Sequence, residues 1–306
     1  MPNALHQSGG SPHIRFSLSQ FSVTIAGLLR ARRACYIGLL ALAFAPFLAA
    51  STNDDAAKAS PDNFVREILQ HECQAQLNDH ALWSYRETKK EDGKTKLYSV
   101  YQTREGEIDR LTAVNGQPLS SKQAQAEDAR INKFIHRPSE TRNEQHKKAE
   151  DGERARSLLK MFPDAFRYQY NGKEGEFVRL KFAPNPKFHV GGHPAQVFHH
   201  MEGTIVLDPA HKRLIAISGK LTSEVKFGYG ILGHLDPGGT FEVKQREVSP
   251  GFWEVTLMHV EMRGRALFFK TIGAHEYEDY TDFKRVPDNT SLEQAATQVR
   301  HNTTGD

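Results

Sequence analysis

Apolar residues beyond position 60 recur first at helical and then at strand spacing. Phe64, Val65, Ile68, Leu69, Cys73 and Leu77 form one stripe at a period of roughly 3.6 residues, as an amphipathic helix requires. Ser60, Pro61 and Asp62 precede it, supplying a capping hydroxyl, a proline suited to the first turn and an acid for the positive end of the helix dipole. The spacing predicts a helix ending near Asn78. Alternation then takes over in Leu82 to Thr88, Lys96 to Thr103 and Glu107 to Val114, with Gly-containing turns at Glu91 to Lys94 and Arg104 to Gly106. A three-stranded meander closed by Asn115 and Gly116 is expected.

Ser120 with Gln123 makes a capping box for a helix that carries Ala124, Ile131, Phe134 and Ile135 on one face and stops at Pro138. From Ser139 to Glu153 the chain is nearly all charged or amide-bearing, and Ala155, Leu158, Leu159 and Phe162 restore a helical stripe before Pro163. The charged interval is expected to be a solvated helix or an ordered linker.

From Phe166 to about Lys284 strand follows strand. The expected runs are Phe166 to Tyr170, Glu176 to Phe182, Glu202 to Leu207, Arg213 to Ser218, Glu224 to Ile231, Thr240 to Val248, Phe252 to Met262, Arg265 to Ile272 and Glu276 to Phe283. Asn171-Gly172, Asp208-Pro209, Asp236 to Gly239 and Ser249 to Gly251 punctuate them as turns. Val225, Phe227, Tyr229 and Ile231 oppose Glu224 and Lys226, and Phe241 with Val243 opposes Glu242, Lys244 and Arg246. One dry and one wet face, joined by short links, indicates antiparallel pairing. The fold class expected is therefore α+β and predominantly β, with a large curved antiparallel sheet or unclosed half-barrel of about 11 to 12 strands and two or three packing helices. One domain over residues 61–287 holds the helical insertion at 120–162, and the polar tail 288–306 offers only Leu292, Ala295, Ala296 and Val299 as a stripe. A short terminal helix or disorder is expected there.

Composition adds limits more than function. With 38% hydrophobic and 25% charged residues in 306, the chain can bury a sizeable core. A net charge of +3 gives no field that would argue for nucleic acid. Arg30, Arg32 and Arg33 precede an apolar run from Ala34 to Ala50 that contains Pro46, the order of a secretory signal peptide and shorter than the roughly 20 residues of a comfortable membrane span. Residues 1–50 are accordingly expected to be an N-terminal extension and signal peptide cleaved near Ala50, with a linker at 51–60 and export to the periplasm or beyond. Contact with a membrane is expected only through the signal segment. The residues before the arginines exceed what a signal peptide needs, as a misassigned start codon would produce; the alternative is a second, weak amphipathic stretch from Phe16 to Leu29 lying against a membrane surface. Cys35 lies in the signal without a lipobox before it, and Cys73 stands alone in the mature chain, so no internal disulfide can form.

Signatures of catalysis fail on spacing. His189, His193, His199 and His200 crowd together, but Gly191, Gly192 and Pro194 argue against the helix that would bring two of them onto one metal. His71-Glu72 and His275-Glu276 lack the second histidine of a metalloprotease helix, Ser218-Gly219-Lys220 lacks the rest of a phosphate loop, and no esterase elbow exists. Cys73 sits on an apolar stripe, as a buried thiol does. Glu276, Glu278, Asp279 and Asp282 could supply a carboxylate pair for glycan hydrolysis, although such a run also suits the wet side of a strand. No cofactor, metal ion or catalytic residue is assigned. The remaining lead is aromatic: Trp83, Tyr85, Phe227, Tyr229, Phe241, Trp253, Phe268 and Phe269 fit an ordinary core, or with Val243 the lining of an apolar cavity under incomplete helical cover.

A helix, a three-stranded meander, a helical insertion and a long run of hairpins behind a signal peptide together resemble the periplasmic lipoprotein carrier superfamily. The hairpin Glu202 to Pro209 with Arg213 to Ile217 is similar to those by which such proteins pair consecutive strands. The resemblance implies an unclosed barrel holding a hydrophobic ligand or a lipidated peptide, with an envelope protein as a possible partner. It lies in the order of elements, so it transfers no site residue. Two other expectations stand beside it: a secreted hydrolase using the acidic or histidine residues, and a non-catalytic subunit of an envelope complex.

Overall fold

A computed structural model describes residues 60–91, 93–189, 194–227, 233–266 and 270–301. The expected signal segment, the linker before Ser60, His193, Tyr229, Phe268 and Phe269 lie outside the described residues. Helix α1 spans Pro61–Asn78, and the Ser60 hydroxyl accepts from the Asn63 amide at 3.3 Å as anticipated. Strands β1 (Trp83–Glu91), β2 (Lys94–Gln102) and β3 (Glu107–Val114) form the expected meander, and Asn115 and Gly116, both at positive φ, turn the chain into the two-residue β4 (Gln117–Pro118). Helix α2 (Ser121–Ile135) opens with the capping box, and α3 (Pro138–Ala165) follows directly.

Then come β5 (Phe166–Glu174), β6 (Phe177–Pro184), a 3₁₀ turn (Pro194–His200), β7 (Met201–Asp208), β8 (Arg213–Leu221), β9 (Val225–Phe227) and β10 (Gly233–Leu235). The chain continues through β11 (Thr240–Ser249), β12 (Phe252–Ala266), β13 (Lys270–Arg285) and α4 (Leu292–His301). All thirteen strands belong to one unclosed sheet in the order β4-β3-β2-β1-β13-β12-β11-β8-β7-β6-β5, with the β9–β10 pair attached to the far end of β12. Every pairing is antiparallel. Among the described residues no helix is long and apolar enough to cross a membrane.

Three expected boundaries move. Asn171-Gly172 does not end a strand, because β5 runs on through it to Glu174 with a register shift between Tyr170 and Lys173, and the turn falls at Gly175-Glu176. The runs Arg265 to Ile272 and Glu276 to Phe283 are not separate strands, because Arg265 and Ala266 finish β12 while β13 continues unbroken through Gly273 and Ala274 opposite Arg263 and Met262. A fifteen-residue partner strand offers a full ladder, which outweighs the local turn propensity of glycine. Helix α3 also runs through Pro163 to Ala165. Its last carbonyls are satisfied by outside donors: Phe162 O by the Tyr168 hydroxyl at 2.8 Å, Asp164 O by the Asn185 amide at 2.8 Å and Ala165 O by the Asn185 backbone at 2.9 Å.

The sheet has a dry inner face under α1 and α3. Phe64, Val65, Ile68 and Leu69 of α1, with Leu158, Leu159 and Phe162 of α3, pack on Phe166, Phe182, Ile205, Leu214, Val243 and their neighbours in the main core. Among the described residues the other face is covered only at the opposite edge. There Ile131 of α2 and Leu292, Ala295, Ala296 and Val299 of α4 close over Ile108 and Tyr101. The terminal stripe is therefore a packed helix.

A charge sits in the middle of the dry face. Glu72 of α1 is fully buried. One carboxylate oxygen accepts from Gln245 Nε2 at 2.9 Å and the Leu214 amide at 3.2 Å and lies 2.9 Å from Arg213 Nε as an ion pair; the other accepts from Gln76 Nε2 at 2.9 Å and Arg213 Nη2 at 3.2 Å. Four residues from one helix and two strands are thus fixed around one side chain. At the outer edge of β5, Asp62 in the first turn of α1 accepts the Tyr168 amide at 3.0 Å and pairs with Arg167 at 2.9 Å. Replacing Glu72 with alanine leaves the Arg213 guanidinium buried without its partner, so Glu72→Ala is expected to lower stability by about 3 to 5 kcal/mol. Urea unfolding followed by circular dichroism checks it, with Glu72→Gln falling between the two.

Candidate functional site

The aromatic residues picked out by sequence divide between core and rim. Trp83, Phe241, Val243 and Trp253 are 2%, 3%, 0% and 7% exposed, so the protein's own packing occupies them. Tyr85 and Phe227 are half-buried against that core. Period-2 alternation puts Trp83 and Tyr85 on the inner face of β1, where they join residues that sequence did not single out. Trp83 meets Phe252 and Phe283 edge-on at 5.8 and 6.2 Å, Phe283 stacks on Tyr85 at 5.3 Å, and Tyr85 meets Tyr280 at 5.8 Å. Arg285 lies over the rings of Trp83 and Phe252 at 5.3 and 4.7 Å, a cation–π arrangement. The result is an aromatic ladder along β1, β12 and β13. Trp83 Nε1 is buried and finds no hydrogen-bond acceptor among the described residues.

Beside this ladder the inner face turns polar. Lys89 Nζ lies 3.2 Å from Glu87 Oε2 and 3.5 Å from Glu278 Oε1, and the Tyr280 hydroxyl donates to Glu278. Of the acidic run proposed from sequence, Glu278 thus faces inward. Asp282, held at φ 58° in a bulge, pairs instead with Arg86 at 3.5 Å. Glu87 was missed, although its place two residues after Tyr85 put a charge on an apolar face.

Among the described residues the histidines do not converge. His189 and His199 are exposed, and the His199 ring rests near Phe188 at 6.0 Å. His200 Nδ1 is 2.7 Å from the Ser223 hydroxyl, and its pKa is lowered by burial and by His199. No group of three or more His, Cys, Asp or Glu residues able to hold a metal occurs among the described residues. Burial and the neighbouring Glu72 push the Cys73 thiol up to about 11, far from the thiolate that a nucleophile needs.

The outer face holds a furrow of about 860 Å³ across β5, β6, β7, β8, β11 and β12. One wall is a cross-strand ladder of Gln169, Lys181, Thr204, Ser218, Glu242 and His259, each paired in register with the next. Arg167, Ala183, Glu202, Lys220 and Thr240 make the other wall. Between them runs the row Tyr168, Phe182, Gly203, Gly219 and Phe241, whose side chains belong to the inner core. A Cβ on Gly203 would stand 2.0 Å from Ser218 O and 2.7 Å from Phe182 Cζ, and one on Gly219 would stand 2.7 Å from Phe241 Cε1. Only glycine admits this approach, so the two aromatic rings fold across bare backbone on the inner side, and because this row points inward the furrow's floor carries no side chains.

Comparison of the chain with protein-family models, with curated proteins and with solved structures found no match.

One titration is set by a turn. His211 Nδ1 lies 2.7 Å from Asp208 Oδ2, and the same carboxylate accepts the Ala210 and His211 amides at 2.8 and 3.0 Å. The hydrogen bond and charge of Asp208 raise the His211 pKa above its ordinary value. A raised folded-state value means that the pair's stabilisation is fully present below the unfolded histidine value and is lost as pH rises through the folded one. NMR titration is expected to place the His211 midpoint above about 6.5, and Asp208→Asn, which keeps the turn's hydrogen-bond acceptor, to bring it back down.

Proposed function

We propose that the protein is an exported binding module that holds a hydrophobic or acylated ligand against the inner face of its unclosed sheet, without chemistry of its own. The observation that carries this reading is the aromatic ladder of Trp83, Phe283, Tyr85 and Tyr280, half-buried at Tyr85 and Phe283 and ending at an indole N–H with no acceptor among the described residues. A buried donor left unpaired calls for a partner. An ester or carboxylate oxygen of an acylated guest that displaces the covering Arg285 or Phe252 would provide one, while its chain lies along the half-buried Tyr85 and Phe283 rings, which offer large apolar area at little entropic cost. Helices α1 and α3 concentrate their packing on the β5 to β8 half, so the ladder occupies the half where a guest would complete the cover. The unclosed sheet supports the reading further, since a sheet that does not seal on itself leaves its concave side open at one end.

The chain contains two tryptophans, which makes the test direct. In a Trp253→Phe variant Trp83 is the sole indole, and titration with lauroyl and palmitoyl ligands is expected to shift its emission and to raise the melting temperature. Ligand at about a hundred times its Kd would stabilise the fold by roughly 2.7 kcal/mol. Tyr85→Ala should weaken binding while leaving a folded protein. Unchanged emission and melting across the acyl panel would sink the proposal.

A further inference from the structure

The furrow on the outer face is a second concavity, on the side of the sheet away from the aromatic ladder, and an acyl ligand does not explain it. Its volume of about 860 Å³ lies within the range of ligand sites. Six strands line it, and five interstrand steps of roughly 4.8 Å make it on the order of 24 Å long, the shape for an extended chain molecule.

The chemistry of the walls selects the chain. No phenyl, phenol or indole ring stands in either wall, where the one ring is the imidazole of His259 at the end, and the rings along the floor, Phe182 and Phe241, are 2% and 3% exposed and belong to the core. An acyl chain or a flat ring would therefore find no surface to bury. Thr204 and Ser218 face each other at the centre of one wall and Thr240 lies diagonally across. Glu202 and Lys220, the acid and base of the opposite wall, are already paired at 3.2 Å. Hydroxyls, carboxylates and ammonium groups side by side suit a ligand whose own groups both donate and accept, which a polyol does at every ring position.

Charge adds a direction. Arg167 is held by Asp62 at 2.9 Å and Glu242 by Lys244 at 2.8 Å. Lys181, between Gln169 and Thr204 in register, makes no ion pair among the described residues. Its ammonium, flanked by an amide and a hydroxyl, matches a carboxylate carried on a sugar ring. We propose that the furrow binds a short acidic oligosaccharide, with a uronate carboxylate at Lys181 and ring hydroxyls at Thr204, Ser218 and Thr240.

Isothermal titration of the full-length protein with oligogalacturonate, and with a neutral cello-oligosaccharide of equal length, tests this. The acidic chain is expected to bind at least about tenfold more tightly than the neutral one. Lys181→Glu is expected to cost roughly tenfold or more, as loss of a charge-assisted hydrogen bond implies. Thr204→Val should weaken both chains, and Tyr85→Ala should change neither, which separates this site from the acyl reading. Equal binding of the two saccharides, indifference to Lys181→Glu, or no heat from either at millimolar concentration would each overturn the proposal.

Discussion

One buried carboxylate holds the two layers together. Glu72 leaves the middle of α1 and is satisfied by Arg213 and Leu214 on β8, Gln245 on β11 and Gln76 one turn along its own helix. Such a group is costly to desolvate, and it persists only where every lone pair is matched. The match fixes where along the sheet the helix lies. With that register set, Phe64, Val65, Ile68 and Leu69 meet their partners, and the non-directional part of the packing can follow. The same arginine lies 5.4 Å from the Trp253 ring, so the tie extends to β12.

Once the dry face is fixed under α1 and α3, the rest of the molecule is a matter of which surfaces remain. The inner half around β1 and β13 keeps an aromatic ladder and a polar cluster. The outer face keeps a furrow between two rows of mostly polar side chains. Both candidate sites thus derive from one constraint, a single sheet large enough to have one face roofed at one end and the opposite face roofed at the other.

Much of the fold was legible because its signals are local. The capping serine at 60, the capping box at 120 and 123 and the Asn115-Gly116 turn act over a few residues, and each appears where the sequence placed it. Strand alternation around Phe241 and Val243 likewise survives in the burial of both. What the sequence hid was set by long-range pairing. The continuation of β13 through Gly273 depends on β12, and the passage of α3 through Pro163 depends on Tyr168 and Asn185. The ladder was half visible: Trp83 and Tyr85 were named, whereas Phe283 and Tyr280 join them only because β13 returns beside β1. Glu72 and Glu87 carried a readable sign, each being a charge at an apolar position of its pattern. Gly203 and Gly219 carried none, since their importance lies in being opposite one another.

Asp62 has a bearing beyond the bonds it makes. By accepting the Tyr168 amide it occupies an outward-facing donor of the last strand in the sheet, the kind of group through which bare strands recruit neighbours. The guard is delivered by the helix, so docking of the helix and closure of that border are one event. A chain caught before α1 has settled would present an adhesive ribbon to its siblings, and concentration would then decide between completing the fold and clumping.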